Sequence, residues 1–200
     1  MRAARLEQQE QMRERIAKAT YELHATIGPA QTTISAIAER AGVQRHTVYH
    51  HFPDLVTLFK ACTAHGLSVT GPPDPETWRT IPDPATRVHA GLRELYGYYR
   101  RNARLMGNVY RDMPVIPEGI EGSQQFLDLN EAWFAALAEG WPADAAGRIR
   151  IEAALRHAMD YTTWHSLTTQ GLSDDEAADA MTAFANLMAA EVTSPAPVKA

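Results

Sequence analysis

Between Glu39 and Asp54 the chain carries no acid, and within that stretch Gln44, Arg45, His46, Thr47, Tyr49 and His50 crowd hydrogen-bonding groups into two helical turns. Arg and Gln can form paired hydrogen bonds with guanine and adenine edges, while Thr and Tyr suit phosphate oxygens and thymine methyls. An ordinary solvated helix face would more often use Lys and Glu. The chemistry expected of this run is the reading of double-stranded DNA, with no catalytic step. His46 and His50 stand four apart, but no Glu lies between them and no Cys or carboxylate cluster accompanies them, so no metal and no cofactor are expected.

Such side chains read bases only if a rigid pair of helices presents them. Residues 32–52, TTISAIAERAGVQRHTVYHHF, meet the demands of a helix-turn-helix. Ala38 is small where the two helices would cross. Gly42, four residues on, tolerates the positive φ of the turn. Val48 follows six residues later to pin the second helix, with Ile37, Ala41 and Phe52 in the other inner positions. Thr33 is a natural N-cap for the first of the two helices. Met12, Ile16, Ala19, Leu23 and Ile27 recur at helical spacing and predict a leading helix of four or five turns, stopped by Gly28-Pro29. Pro53-Asp54 opens a fourth helix with Leu55, Leu58, Phe59 and Cys62 on one face.

The rest of the chain is also helical in pattern, and the fold expected is all-α. Residues 66–82, rich in Gly and Pro, read as a connection. Asp83-Pro84 starts a helix through Val88, Leu92, Leu95 and Tyr99. A shorter one through Leu105, Val109 and Tyr110 is broken by Pro114 and Pro117. A helix apolar on more than one face is predicted over 121–139, and a long one over 143–170. Gly171 and the Ser173–Glu176 capping box then introduce a last helix with Ala177, Ala180, Met181, Phe184, Leu187 and Met188. The domains expected are 1–65 for DNA and 66–193 for an effector and dimerisation, with 194–200 as a disordered tail.

Here the chain resembles the TetR family of bacterial regulators, in Ile37-Ala38, Ala41-Gly42-Val43, Thr47, Tyr49, His51 and Phe52 and the helix that follows. The resemblance covers residues 1–65 closely and the remainder only in helix count, length and order. It implies a homodimer with operator DNA below and an inducer pocket in each larger domain. It also implies Thr47 and Tyr49 on phosphates, and Gln44, Arg45, His46 and His50 toward bases. Many members place Lys where this chain has Leu55; Thr33, Ser35 and Lys60 are available for that phosphate contact.

An aromatic and Met-rich set, Tyr96, Tyr99, Met106, Tyr110, Phe126, Trp133 and Tyr161, with Asn130 and His157 as polar members, would suit a flat or hydrophobic effector, and would equally suit a core. Trp164, Phe184 and Met188 are the expected dimer contacts. The net charge of −5 divides unevenly: the first 62 residues hold eight Lys and Arg against six Asp and Glu, the others eleven against eighteen. A mildly basic head on an acidic body fits contact with phosphate at one end. No apolar run is long enough to span a membrane and no export signal opens the chain, so a cytoplasmic protein is expected. Cys62, the single cysteine, lacks an evident His partner, and no GxSxG, P-loop or GxGxxG is present. The expected function is a ligand-responsive regulator, a repressor by family default. An all-helical carrier or enzyme is the alternative, as is a helix-turn-helix protein whose helical body binds a protein partner.

Overall fold

The computed structural model describes residues 2–141 and 144–190, so the predicted tail lies outside the described residues. Among those residues the structure is helical with no strand. The helices are α1 (Arg2–Thr26), α2 (Ile34–Ala41), α3 (Arg45–His51), α4 (Leu55–Thr70), α5 (Pro75–Arg79), α6 (Pro84–Arg101), α7 (Ala103–Asp112), α8 (Pro117–Gly122), α9 (Gln124–Ala138), α10 (Ala145–Met159), α11 (Tyr161–Thr169) and α12 (Asp174–Ala189). The described residues fall into two compact units, one within 1–72 and 98–130, the other within 73–97 and 131–200. Both α6 and α9 contribute residues to each.

In the first unit, Ile16, Ala19 and Leu23 of α1 close a core with Ile37, Ala38, Ala41, Val48, Phe52 and Leu58. Each is an apolar residue at its expected inner position, and burying one such side chain stabilises by about 1.5–3 kcal/mol relative to exposure. Several expected details differ. α1 begins ten residues before Met12 because its polar N-terminal part, though exposed, contains no helix breaker. Ile27 lies past the end of α1 and is 44% exposed. Leu55 is exposed on the first turn of α4, whose inner stripe begins at Leu58. The expected connection over 66–82 is largely helix: Gly66 is buried inside α4 against Tyr21 of α1, and Asp74 caps α5 through Glu76 N–H. Pro117 does not merely end a helix but opens α8.

In the second unit the predicted long helix is two. Asp160 takes an extended conformation and its carboxylate accepts from Thr162 N–H, so it ends α10 and caps α11 at once. Ser173 and Glu176 form the expected capping box at the start of α12. Leu92, Leu95, Trp133, Leu137, Ile151 and Leu155 are fully buried there.

Candidate DNA-reading and ligand-binding sites

The two short helices α2 and α3 join through Gly42, which sits in the left-handed region at φ 65° and donates its N–H back to Ala38 and Glu39 carbonyls. Thr33 caps α2 by accepting Ala36 N–H at 3.1 Å. With Ala38 and Val48 buried between the helices, the opposite face of α3 points outward: Gln44, Arg45, His46, Tyr49 and His50 are exposed, and Thr47 is half-buried. Thr33, Ser35 and Lys60 are exposed as well. A residue absent from the sequence reading braces this helix. Arg13 of α1 donates to the His51 carbonyl at its C-terminus, and its guanidinium lies 4.4 Å from the Phe52 ring centre. Its signal was only a cation one turn before Ile16 in an otherwise ordinary polar stretch.

The same unit contains a cavity of about 380 Å³, lined by Tyr21, His24, Phe59, Cys62, Thr63, Gly66, Leu67, Thr70, Tyr98, Leu105, Met106, Val109, Tyr110, Met113, Ile120, Ser123, Phe126 and Leu127, with Pro29 and Pro114. It holds no Asp, Glu, Lys or Arg. Its ionisable imidazole, His24, is brought down to about 4 by burial, with Asp112 opposing that shift. Burial pushes the Cys62 thiol up to about 12. The two meet at 3.5 Å, so Cys62 does have a His neighbour, contrary to the sequence reading, but both groups stay uncharged near neutral pH. Tyr98 stands within 3.4 Å of the Thr70 hydroxyl, and burial raises its phenol above the ordinary value.

Of the nine expected effector residues, Met106, Tyr110 and Phe126 come together in this cavity. Tyr99 is buried in the same unit and Asn130 half-buried. The other four belong to the second unit. There Tyr96 donates to the Ala158 carbonyl at 2.7 Å, Trp133 Nε1–H donates to the Pro73 carbonyl at 2.9 Å, and Tyr161 is buried with its ring stacked on His165. His157 is exposed beside Thr163, at 3.3 Å. Sequence reasoning missed Tyr21 and His24, because the apolar stripe of α1 accounts only for the helix-turn-helix core, and Tyr98 of α6, which falls between the expected Tyr96 and Tyr99. Of the expected dimer contacts, Trp164 is buried within the chain, its indole N–H donating to Asp174 at 2.8 Å. Phe184 and Met188 are half-buried on α12, with Leu187 between them 66% exposed.

No helix among the described residues is long and apolar enough to cross a membrane. None of the curated proteins gives a significant match to the chain. Residues 16–62, from the inner face of α1 through α2 and α3 into α4, match the family model described as bacterial regulatory proteins, tetR family. Residues 16–62 therefore form a DNA-binding domain of the kind found in bacterial regulatory proteins of the tetR family, which supports a DNA-binding transcriptional regulator.

Proposed function

We propose that the protein is a ligand-responsive repressor, released from its operator by a small, uncharged, largely apolar or aromatic effector. The observation that carries this reading is the cavity of about 380 Å³ with no charged side chain in its lining. That volume falls in the range of small-molecule pockets. An ion entering it would lose hydration without a counter-charge, a cost of several kcal/mol, so the site selects neutral molecules. Met106, Tyr110 and Phe126 supply apolar and aromatic contact, and Tyr98, Thr70 and Ser123 offer hydrogen bonds.

The reading assigns residues 1–65 to DNA and the helical remainder, 66–193, to effector binding and homodimerisation, with Tyr21, His24, Phe59 and Cys62 of the first segment also lining the effector cavity. Gln44, Arg45, His46 and His50 face bases, and Thr33, Ser35, Thr47, Tyr49 and Lys60 face phosphates. Two copies joined through α12 would set two recognition helices about one helical turn of DNA apart. The protein works in the cytoplasm, where its operator is, and carries out no chemical conversion.

The test is binding of purified protein to duplexes from around its own gene, at two salt concentrations, against a scrambled duplex. Preference for the native DNA that survives the higher salt supports specific reading. A panel of uncharged and charged aromatic compounds then follows, scored by release of that DNA. Binding of neutral compounds with unchanged operator affinity would instead favour a carrier.

A further inference from the structure

We infer that the effector is a flat, neutral molecule about two helical turns long with a hydrogen-bonding oxygen at each end, one accepting from His24 Nε2–H and the other meeting the hydroxyls of Thr70 and Tyr98. The inference deepens the proposed function and rests on its reading of the cavity as a ligand pocket.

Cys62, Gly66 and Thr70 line the cavity from α4 and stand four residues apart, so they share one helix face. From Cys62 to Thr70 the helix rises by about 12 Å. Gly66, midway, adds no side chain. A Cβ there would stand 3.2 Å from the Tyr21 ring of α1, so the middle of this face is bedded on the ring itself. Met106, Val109 and Phe126 complete apolar walls. Polar groups stand at both ends of the face.

At the Cys62 end the His24 side chain is buried, and its Nδ1 lies 3.5 Å from Cys62 Sγ. A buried thiol keeps its hydrogen and sulfur is a weak acceptor, so the S–H points at Nδ1 and the imidazole hydrogen sits on Nε2. The carboxylate that acts on this ring, Asp112, is taken by Arg111 and by Ala30 N–H at 3.0 Å. Among the described residues Nε2 has no hydrogen-bond partner and is not sealed against protein, so its N–H faces open space. A neutral imidazole held this way donates to an oxygen without presenting a charge.

At the other end the hydroxyls of Thr70 and Tyr98 are 3.4 Å apart. A bond between two hydroxyls is ordinarily about 2.7–2.8 Å, so this one is loose, and an oxygen set against the pair bonds both. Thr70 has no other side-chain hydrogen bond among the described residues, whereas Thr20 and Thr26 of α1 spend their hydroxyls on carbonyls one turn back. A ligand with an oxygen at one end only leaves the other end unmatched, and that mismatch is the basis of discrimination.

The experiment titrates the full chain with trans-stilbene, trans-4-hydroxystilbene and trans-4,4′-dihydroxystilbene, flat neutral fluorescent probes that differ only in their end oxygens. Affinity is expected to rise with each hydroxyl, the dihydroxy probe binding at least ~10-fold more tightly than the parent. In Thr70→Val/Tyr98→Phe and in His24→Phe that ratio should fall at least ~3-fold, because one end has lost its partner. In a merely apolar cavity each hydroxyl would lose hydration without recompense, and the order would reverse. A reversed or level order, or a ratio unchanged in either variant, overturns the inference while leaving the pocket intact. If no probe binds, the pocket reading and this inference fall together. Should one of the variants not fold, the other decides by the same threshold.

Discussion

Cys62 Sγ lies 3.5 Å from His24 Nδ1, yet the pair is not an activated thiol. Activation would need a thiolate beside an imidazolium, and burial works against both charges: it holds His24 at about 4 and Cys62 at about 12. In the native protein, Cys62 should react with iodoacetamide at near-neutral pH at least ~100-fold more slowly than in the denatured chain. Mass spectrometry over time checks this, and native labelling at the denatured rate would show that the thiol is exposed or ionised.

The same imidazole makes folding stability depend on pH. Its folded value is depressed below the ordinary 6.5, so below that pH the unfolded chain binds a proton that the folded chain does not. Stability is therefore full above about 6.5 and declines as pH falls toward about 4. The loss between about pH 7 and about pH 5 is on the order of 2 kcal/mol. Urea unfolding at the two pH values measures it. His24→Gln should remove most of that slope whatever it does to absolute stability.

On DNA, Arg45 and Tyr49 should separate by kind of effect. Both are exposed on α3, but Arg45 is read as facing a base and Tyr49 a phosphate. Arg45→Ala is expected to weaken specific binding by ~1–3 kcal/mol and to spare scrambled DNA. Tyr49→Phe should lower affinity more evenly across sequences. Fluorescence anisotropy on both duplexes decides; equal losses for Arg45→Ala would take it off the list of base readers.

The DNA-reading part was legible because its determinants are local. Thr33, Ala38, Gly42 and Val48 act within a few residues of one another, and each does in the fold what its type and spacing require. The cavity was only partly legible because it is assembled at long range. His24, Cys62, Tyr98 and Met106 come from α1, α4, α6 and α7, and no period along the chain relates them. Aromatic type alone could not separate Tyr96 from Tyr98: two residues apart on one helix, the first donates to the Ala158 carbonyl while the second lines the cavity. The break at Asp160 was hidden because the apolar stripe continues past it from Leu155 to Trp164. The capping contact to Thr162 was the available signal.

Two glycines at positive φ should respond differently to alanine. At Gly42 (φ 65°) an added Cβ meets nothing within 4 Å, so the cost is conformational, about 1–2 kcal/mol. At Gly28 (φ 93°) the added atom would stand 2.2 Å from Arg111 Nη2 and 2.3 Å from Asp112 Oδ2. That ion pair would have to move and would loosen its hold on Ala30, so Gly28→Ala should cost about 3 kcal/mol or more. Thermal unfolding of the two variants gives the order. A reversed order would mean that the pair yields freely.

The proposed dimer through α12 turns on Leu187. It is 66% exposed, and Phe184 and Met188, three residues before it and one after, are half-buried. An aliphatic side chain this exposed beside two incompletely buried apolar ones is the start of an association surface. In a two-fold dimer each substitution is made twice, so Leu187→Asp should raise the dimer dissociation constant at least ~10-fold without altering helicity. Trp164→Phe should leave association unchanged, because Trp164 is spent inside the chain on Asp174. Sedimentation velocity across a concentration series distinguishes the two variants. A Leu187→Asp protein that stays dimeric would move the interface off this face of α12. A monomeric Trp164→Phe protein would show that the packing of α11 against the start of α12 helps shape the interface.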